Sequence, residues 1–170
     1  VTLEPDRIAA AVELAAGCHL GQVDKAGESY ILHPIAVMQR AERYFLLTSW
    51  RDDEELRIDV MVAALLHDVV EDSRGDPGQR AILREHIRDR FGARVEEAVY
   101  ALTRQRNESY EDFITRCTGN QIACLVKRAD CMHNVDLTRF RRELTEKDLA
   151  RRKKYYAAAL QLKRALSEFL

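Results

Sequence analysis

Apolar residues recur at i, i+3, i+4 spacing along most of the chain, and no stretch alternates with the period of two that a half-buried strand needs. The pattern predicts an all-α protein. Its first helix starts near Pro5, a good first-turn residue, and runs along an alanine-rich face toward Leu20. The glycine-containing segment GQVDKAGESY follows. Pro34 then opens a helix of about fourteen residues, with Ile35, Val37, Met38, Ala41 and Phe45 facing a core and His33 held extended at its mouth. TSWRDDEE breaks it. A central helix is expected from Glu54 to Asp72, and SRGDPG separates it from a charged helix that Gly92 ends. Further helices carry Val95, Val99 and Leu102, run from Ser109 to Gly119, and span Ile122 to about Leu137. Thr145 and Asp148 fit the cap of a last helix reaching Leu170.

The central helix is anomalous. Residues 60–66 are apolar almost all the way round, the mark of a helix enclosed by protein, yet the run ends in HDVVED. At about 100° per residue, His67 and Glu71 stack on one line and Asp68 and Asp72 on the next. Three carboxylates this close repel one another and resist burial. A divalent cation among them reverses that cost, because imidazole and carboxylate both ligate hard or borderline metals.

Composition narrows the reading. A chain of 170 residues suffices for one domain, residues 1–170, with a full core and no disulfide staple. A net charge of −1 argues against nucleic acid as the main partner and leaves room for a small anionic ligand. No apolar run reaches the roughly 18 residues that cross a bilayer, and the amino terminus shows no signal-peptide pattern, so the expectation is a soluble, cytoplasmic protein without a membrane partner. Cys18, Cys117, Cys124 and Cys131 form no CxxC pair, and the last three are spaced by seven; buried free thiols are expected. Oligomeric state stays open.

Two more polar residues sit stranded among apolar ones: His33 in YILHP, and Asp130 in CLVKRADCMHN with Asn134 one turn on. Singly they are bland, since a lone His before a helix usually caps it and a lone Asp in an apolar helix often pairs with an Arg. Together with HDVVED they form an ordered set. AGESYILHP, LLHDVVED and VKRADCMHN resemble the HD-domain phosphohydrolases, and more narrowly the hydrolase domain of the Rel/SpoT family in its small alarmone hydrolase group, over roughly residues 7 to 165.

The resemblance implies a single-domain helical HD fold with a buried metal site. It implies that His33, His67, Asp68 and Asp130 bind one divalent ion, usually manganese in such enzymes, and that Glu71 and Asp72 are the catalytic pair. It further implies removal of the 3′-pyrophosphate from (p)ppGpp or a related alarmone by metal-activated water. Lys25, Arg104 and Arg106 are candidate pyrophosphate clamps, Asn134 resembles a residue beside the nucleoside, and Tyr155 is a candidate for the same pocket. RRKK at residues 151–154 reads chiefly as a charged helix face. His86 is expected to be exposed, while His19 and His133 are candidates only for supporting the loop or a ligand. The chain departs from the family pattern at Asp24, Ser29 and Leu137, where Arg, Pro and Thr are common. The base therefore stays open, as do two alternatives: another phosphorylated substrate, such as an adenine alarmone or a phosphorylated nicotinamide cofactor, and a non-catalytic nucleotide-binding module.

Overall fold

The computed structural model describes residues 6–73 and 77–167, and within them eight α-helices follow in the order the hydrophobic pattern predicts. They are α1 (Arg7–Cys18), α2 (Leu32–Phe45), α3 (Glu54–Leu66), α4 (Pro77–Phe91), α5 (Ala93–Leu102), α6 (Tyr110–Thr118), α7 (Gln121–Val135) and α8 (Glu146–Leu166), with one 3-10 turn, Leu137–Arg139, before the last. The expected start at Pro5 and the final residues to Leu170 lie outside the described residues. Asp6 caps α1 by accepting from the N–H groups of Ile8 and Ala9. Asp53, Ser109 and Asn120 cap α3, α6 and α7 in the same way, and Thr145 with Asp148 forms a full capping box on α8. Among the described residues the one extended pairing is a bridge between Val23 and Ser29.

The core forms around α3. Val60 and residues 62–66 are wholly buried, as their unbroken apolarity predicts, and α1, α2, α5 and α7 pack around them. Truncating Leu65 to alanine at such a site costs about 2–5 kcal/mol. α8 lies along α7 and α6, and α4 packs on α5. Between α4 and α5 the chain turns at Gly92, whose φ of 96° suits glycine. Two buried acids lock the helices together. Asp59 of α3 accepts from Arg7 at 2.6 Å and lies 3.0 Å from Arg94, while Glu96 of α5 is held by Arg84 at 2.5 Å and Arg88 at 3.1 Å.

Cys117, Cys124 and Cys131 are buried free thiols, pushed up by burial to about 11, 12 and 12. Cys18 is exposed instead, being the last residue of α1 beyond the turn that buries Ala11 and Ala15. No described helix is long and apolar enough to cross a membrane.

Two expected boundaries are corrected. α3 ends at Leu66 rather than Asp72, so the HDVVED acids occupy successive turns and not a continuous helical stripe. The cause is visible at His67, whose Nδ1 donates to the Ala64 carbonyl at 2.8 Å and takes an acceptor that the helix end leaves over. Val69 N–H then reaches back only three residues, to Leu66. His33, in turn, is helical rather than extended. α2 begins at Leu32, and Pro34 sits within its first turn, where its missing N–H has no helical partner to forfeit.

Candidate metal centre and active site

His33 comes from the first turn of α2, His67 and Asp68 from the turn closing α3, and Asp130 from the middle of α7. The Nε2 of His33 lies 3.3 Å from Asp130 Oδ1 and 3.6 Å from Asp68 Oδ2. The Nε2 of His67 lies 3.0 Å from Asp68 Oδ2 and 4.0 Å from Asp130 Oδ1. Since His67 Nδ1 donates to the Ala64 carbonyl, Nε2 is the ring nitrogen left facing two carboxylates. That atom is buried and has no hydrogen-bond partner. An unpartnered imidazole nitrogen and carboxylates converging in this way suit a cation between them, and ligating atoms of His33, His67 and Asp130 lie within 4.8 Å of one another. Two imidazoles and two carboxylates are a fitting donor set for a divalent ion.

The charges agree with that fit. Burial raises the Asp68 carboxyl, but the His67 and His33 rings outweigh it and hold Asp68 well below the usual range. Asp130 is likewise held low against burial, by Lys127 and the same two rings. Burial pushes His33 down, yet hydrogen bonds and charge from Asp130 and Asp68 raise it to about 9. A proton on His33 thus takes the place of positive charge that the carboxylates demand.

Each candidate ligand is oriented from behind. Tyr30 Oη donates to Asp68 Oδ2 at 2.6 Å, Lys127 Nζ to Asp130 Oδ2 at 2.8 Å, and Asn134 Nδ2 to Asp130 Oδ1 at 2.6 Å. His33 Nδ1 meets His133 Nδ1 at 2.8 Å. Tyr30 and Lys127 were missed by sequence reasoning, although each lies one helical turn before a residue that it singled out, a spacing that could have found them.

Glu71 and Asp72 open onto the cavity above this cluster. Glu71 accepts from the Arg104 backbone N–H at 2.9 Å, and Asp72 lies 3.9 Å from Nδ1 of the buried His19. Flanking protein raises both carboxyls by desolvation, and the negative charge of Asp68 adds to the rise.

The cavity holds about 400 Å³ and is bounded by all four substrate-binding candidates, Lys25, Arg104, Asn134 and Tyr155. Lys25 is presented by a hydrogen-bonded loop: Gly27 turns it with φ 84°, and Asp24 Oδ1 accepts from the N–H groups of Ala26 and Glu28. Arg104 turns its guanidinium to the Glu108 carbonyl at 2.6 Å, so its backbone rather than its side chain meets Glu71. The structure does not bring Arg106 to this cavity. From RRKK only Lys154 lines it, and Arg151 pairs with Asp148 at 3.6 Å. His19 and His133 occupy supporting positions, whereas His86 is exposed. Arg139 also lines the cavity, 3.4 Å from Asp24. A guanidinium thus reaches the acid that stands where the family pattern has arginine, and it comes from a distant turn that no local pattern could signal.

Fold and site together define a helical metal-centre domain, and the chain belongs to the HD domain family, whose model matches residues 11–166. It is 32% identical over 133 residues to the guanosine-3′,5′-bis(diphosphate) 3′-pyrophosphohydrolase of Haemophilus influenzae, covering 72% of this chain and 17% of that protein. It is 30% identical over 154 residues to the protein of the same name from Aquifex aeolicus, covering 86% of this chain and 20% of that one. The chain therefore spans about a fifth of the length of these curated relatives. A solved structure described as a metazoan ortholog of SpoT that hydrolyzes ppGpp matches with a TM-score of 0.65 and 25% identity, over 98% of this chain and 88% of that one.

Proposed function

We propose that this domain hydrolyses the 3′-pyrophosphate of (p)ppGpp or a closely related alarmone, giving the 3′-hydroxyl nucleotide and pyrophosphate. The observation that carries the reading is the pairing of a metal-fit cluster with two raised carboxylates and several cations on one cavity. His33, His67, Asp68 and Asp130 hold the ion, manganese in this reading, which when bound supplies Lewis acidity to phosphate oxygen and water. Glu71 and Asp72 orient the attacking water and take up its proton, a role to which carboxyls raised toward neutrality are suited. Lys25 and Lys154 offset phosphate charge, and Arg104 holds Glu71 through its backbone. Asn134 and Tyr155 border the nucleoside side. The relatives' names and the likeness to a structure that hydrolyzes ppGpp support the substrate class. A pure binding module has no use for carboxylates that repel phosphate.

The deciding experiment is hydrolysis of ppGpp and ppApp with manganese by the wild type and Asp68→Ala, products resolved by anion exchange. Pyrophosphate release that needs manganese and disappears in the variant is expected. No turnover of either nucleotide, with metal shown to be bound, would overturn the reading.

A further inference from the structure

A second cleft, of about 470 Å³, opens between the start of α4 and the segment following α5. Arg80, Arg84, Arg104 and Arg106 line it, and no carboxylate does so among the described residues. One of the four is already neutralised: Arg84 pairs with Glu96 and lays its guanidinium over Tyr100 at 3.8 Å. The other three make no salt bridge among the described residues. The Arg104 guanidinium donates to the Glu108 carbonyl and helps to lower that residue's carboxyl, Arg80 Nη2 donates to the Glu71 carbonyl at 3.3 Å, and Arg106 has no ion-pair partner among the described residues. Arg80 Nε is buried with no hydrogen-bond partner at all. Carbonyl oxygens carry only partial charge, so the cleft keeps a positive potential, and a buried donor left unmade is costly. Planar guanidinium forks lining one cleft match phosphate oxygens.

The same arginines grip Glu71 from both ends. Arg80 holds its backbone carbonyl and the Arg104 N–H holds its carboxylate, while Arg104 lines both cavities. We infer that the second cleft binds a phosphate-class anion and that this anion, through Arg80 and Arg104, fixes the position of Glu71. The anion is either a distal phosphate of the nucleotide in the main cavity or a separate phosphate-bearing ligand. The effect on turnover rests on the proposed role of Glu71; the binding does not.

The test is calorimetric titration of inorganic phosphate into the manganese-loaded wild type, Arg106→Gln and the double variant Arg80→Gln/Arg106→Gln, and into Asp68→Ala, whose metal site is disrupted, with circular dichroism to confirm folding. Arg106 is exposed, so its single variant remains informative if the double variant unfolds. Phosphate binding that survives Asp68→Ala, weakens in Arg106→Gln and weakens by roughly tenfold or more in the double variant is expected. Absence of binding independent of Asp68, or equal binding by the wild type and both arginine variants, would overturn the inference whatever the hydrolase assay shows. A companion titration of turnover identifies the source. Competition with nucleotide that Arg106→Gln relieves marks the nucleotide's own distal phosphate, and phosphate that changes kcat without competing marks a separate ligand.

Discussion

His133 Nδ1 lies 2.8 Å from His33 Nδ1, so two buried imidazoles share a proton across the contact between α2 and α7. Burial, the neighbouring His33 and Arg139 push His133 down to about 4, which keeps it neutral and able to accept. It thereby fixes the His33 ring with Nε2 facing the carboxylates. His133→Ala should weaken manganese binding by roughly 10–100-fold with little change in helical content, measured by competition with a chelator. An unchanged affinity would show that His33 needs no such support.

Metal-free protein should carry a distinctive pH signature. His33 rises from 6.5 to about 9 on folding, so its protonation contributes stability that is complete below about pH 6.5 and is lost as pH rises through about 9. His133, lowered to about 4, acts in the opposite sense: its contribution is present above about 6.5 and is lost as pH falls through about 4. The Tm in EDTA should therefore peak near pH 6.5 and fall toward 9. Saturating manganese should flatten the upper limb, because the bound ion replaces the proton. A flat EDTA profile between 6.5 and 9 would contradict the raised His33.

Glu71→Gln and Asp72→Asn should each lower kcat by roughly 10²–10⁴-fold while the protein keeps its full metal content. Metal analysis beside the rate assay separates the outcomes. Metal lost in step with activity would make these side chains ligands.

Lys127 is mostly but not wholly buried and gives Asp130 its nearest positive charge, at 2.8 Å. Lys127→Met should destabilise the metal-free protein by about 3–5 kcal/mol in urea unfolding, because it leaves a buried carboxylate short of a partner. Much of that loss should be regained with manganese. An equal loss with and without metal would mean that the ammonium serves packing alone.

Helix order and class are legible in the sequence because each helix has its own apolar period and most have a capping residue. Caps at Ser109 and Thr145 are local signals, read within four residues of chain. The end of α3 is not legible, since His67 stops the helix with a ring-to-carbonyl bond that periodicity does not encode. Site residues follow the same division. His33, His67, Asp68 and Asp130 stand out because polar groups interrupt apolar runs, and the structure brings them together. Arg139 escapes notice because its meeting with Asp24 exists only after α7 has packed on α2. Arg106 shows the converse, for sequence proximity to Arg104 suggests a shared place on the main cavity, whereas the fold brings only Arg104 there and leaves Arg106 on the second cleft alone.

The four side chains of the candidate metal centre belong to α2, the turn after α3, and α7, helices that pack on one another pairwise. No fragment ending before α7 contains the third wall of the pocket. With the proposed ligand set, the ion is captured late in synthesis, after residue 130 has left the ribosome and α7 has closed over the earlier helices. Metal uptake then acts as an end-point of assembly, and a nascent or truncated chain that contains HDVVED but lacks α7 should have no means of sequestering the cell's divalent ions.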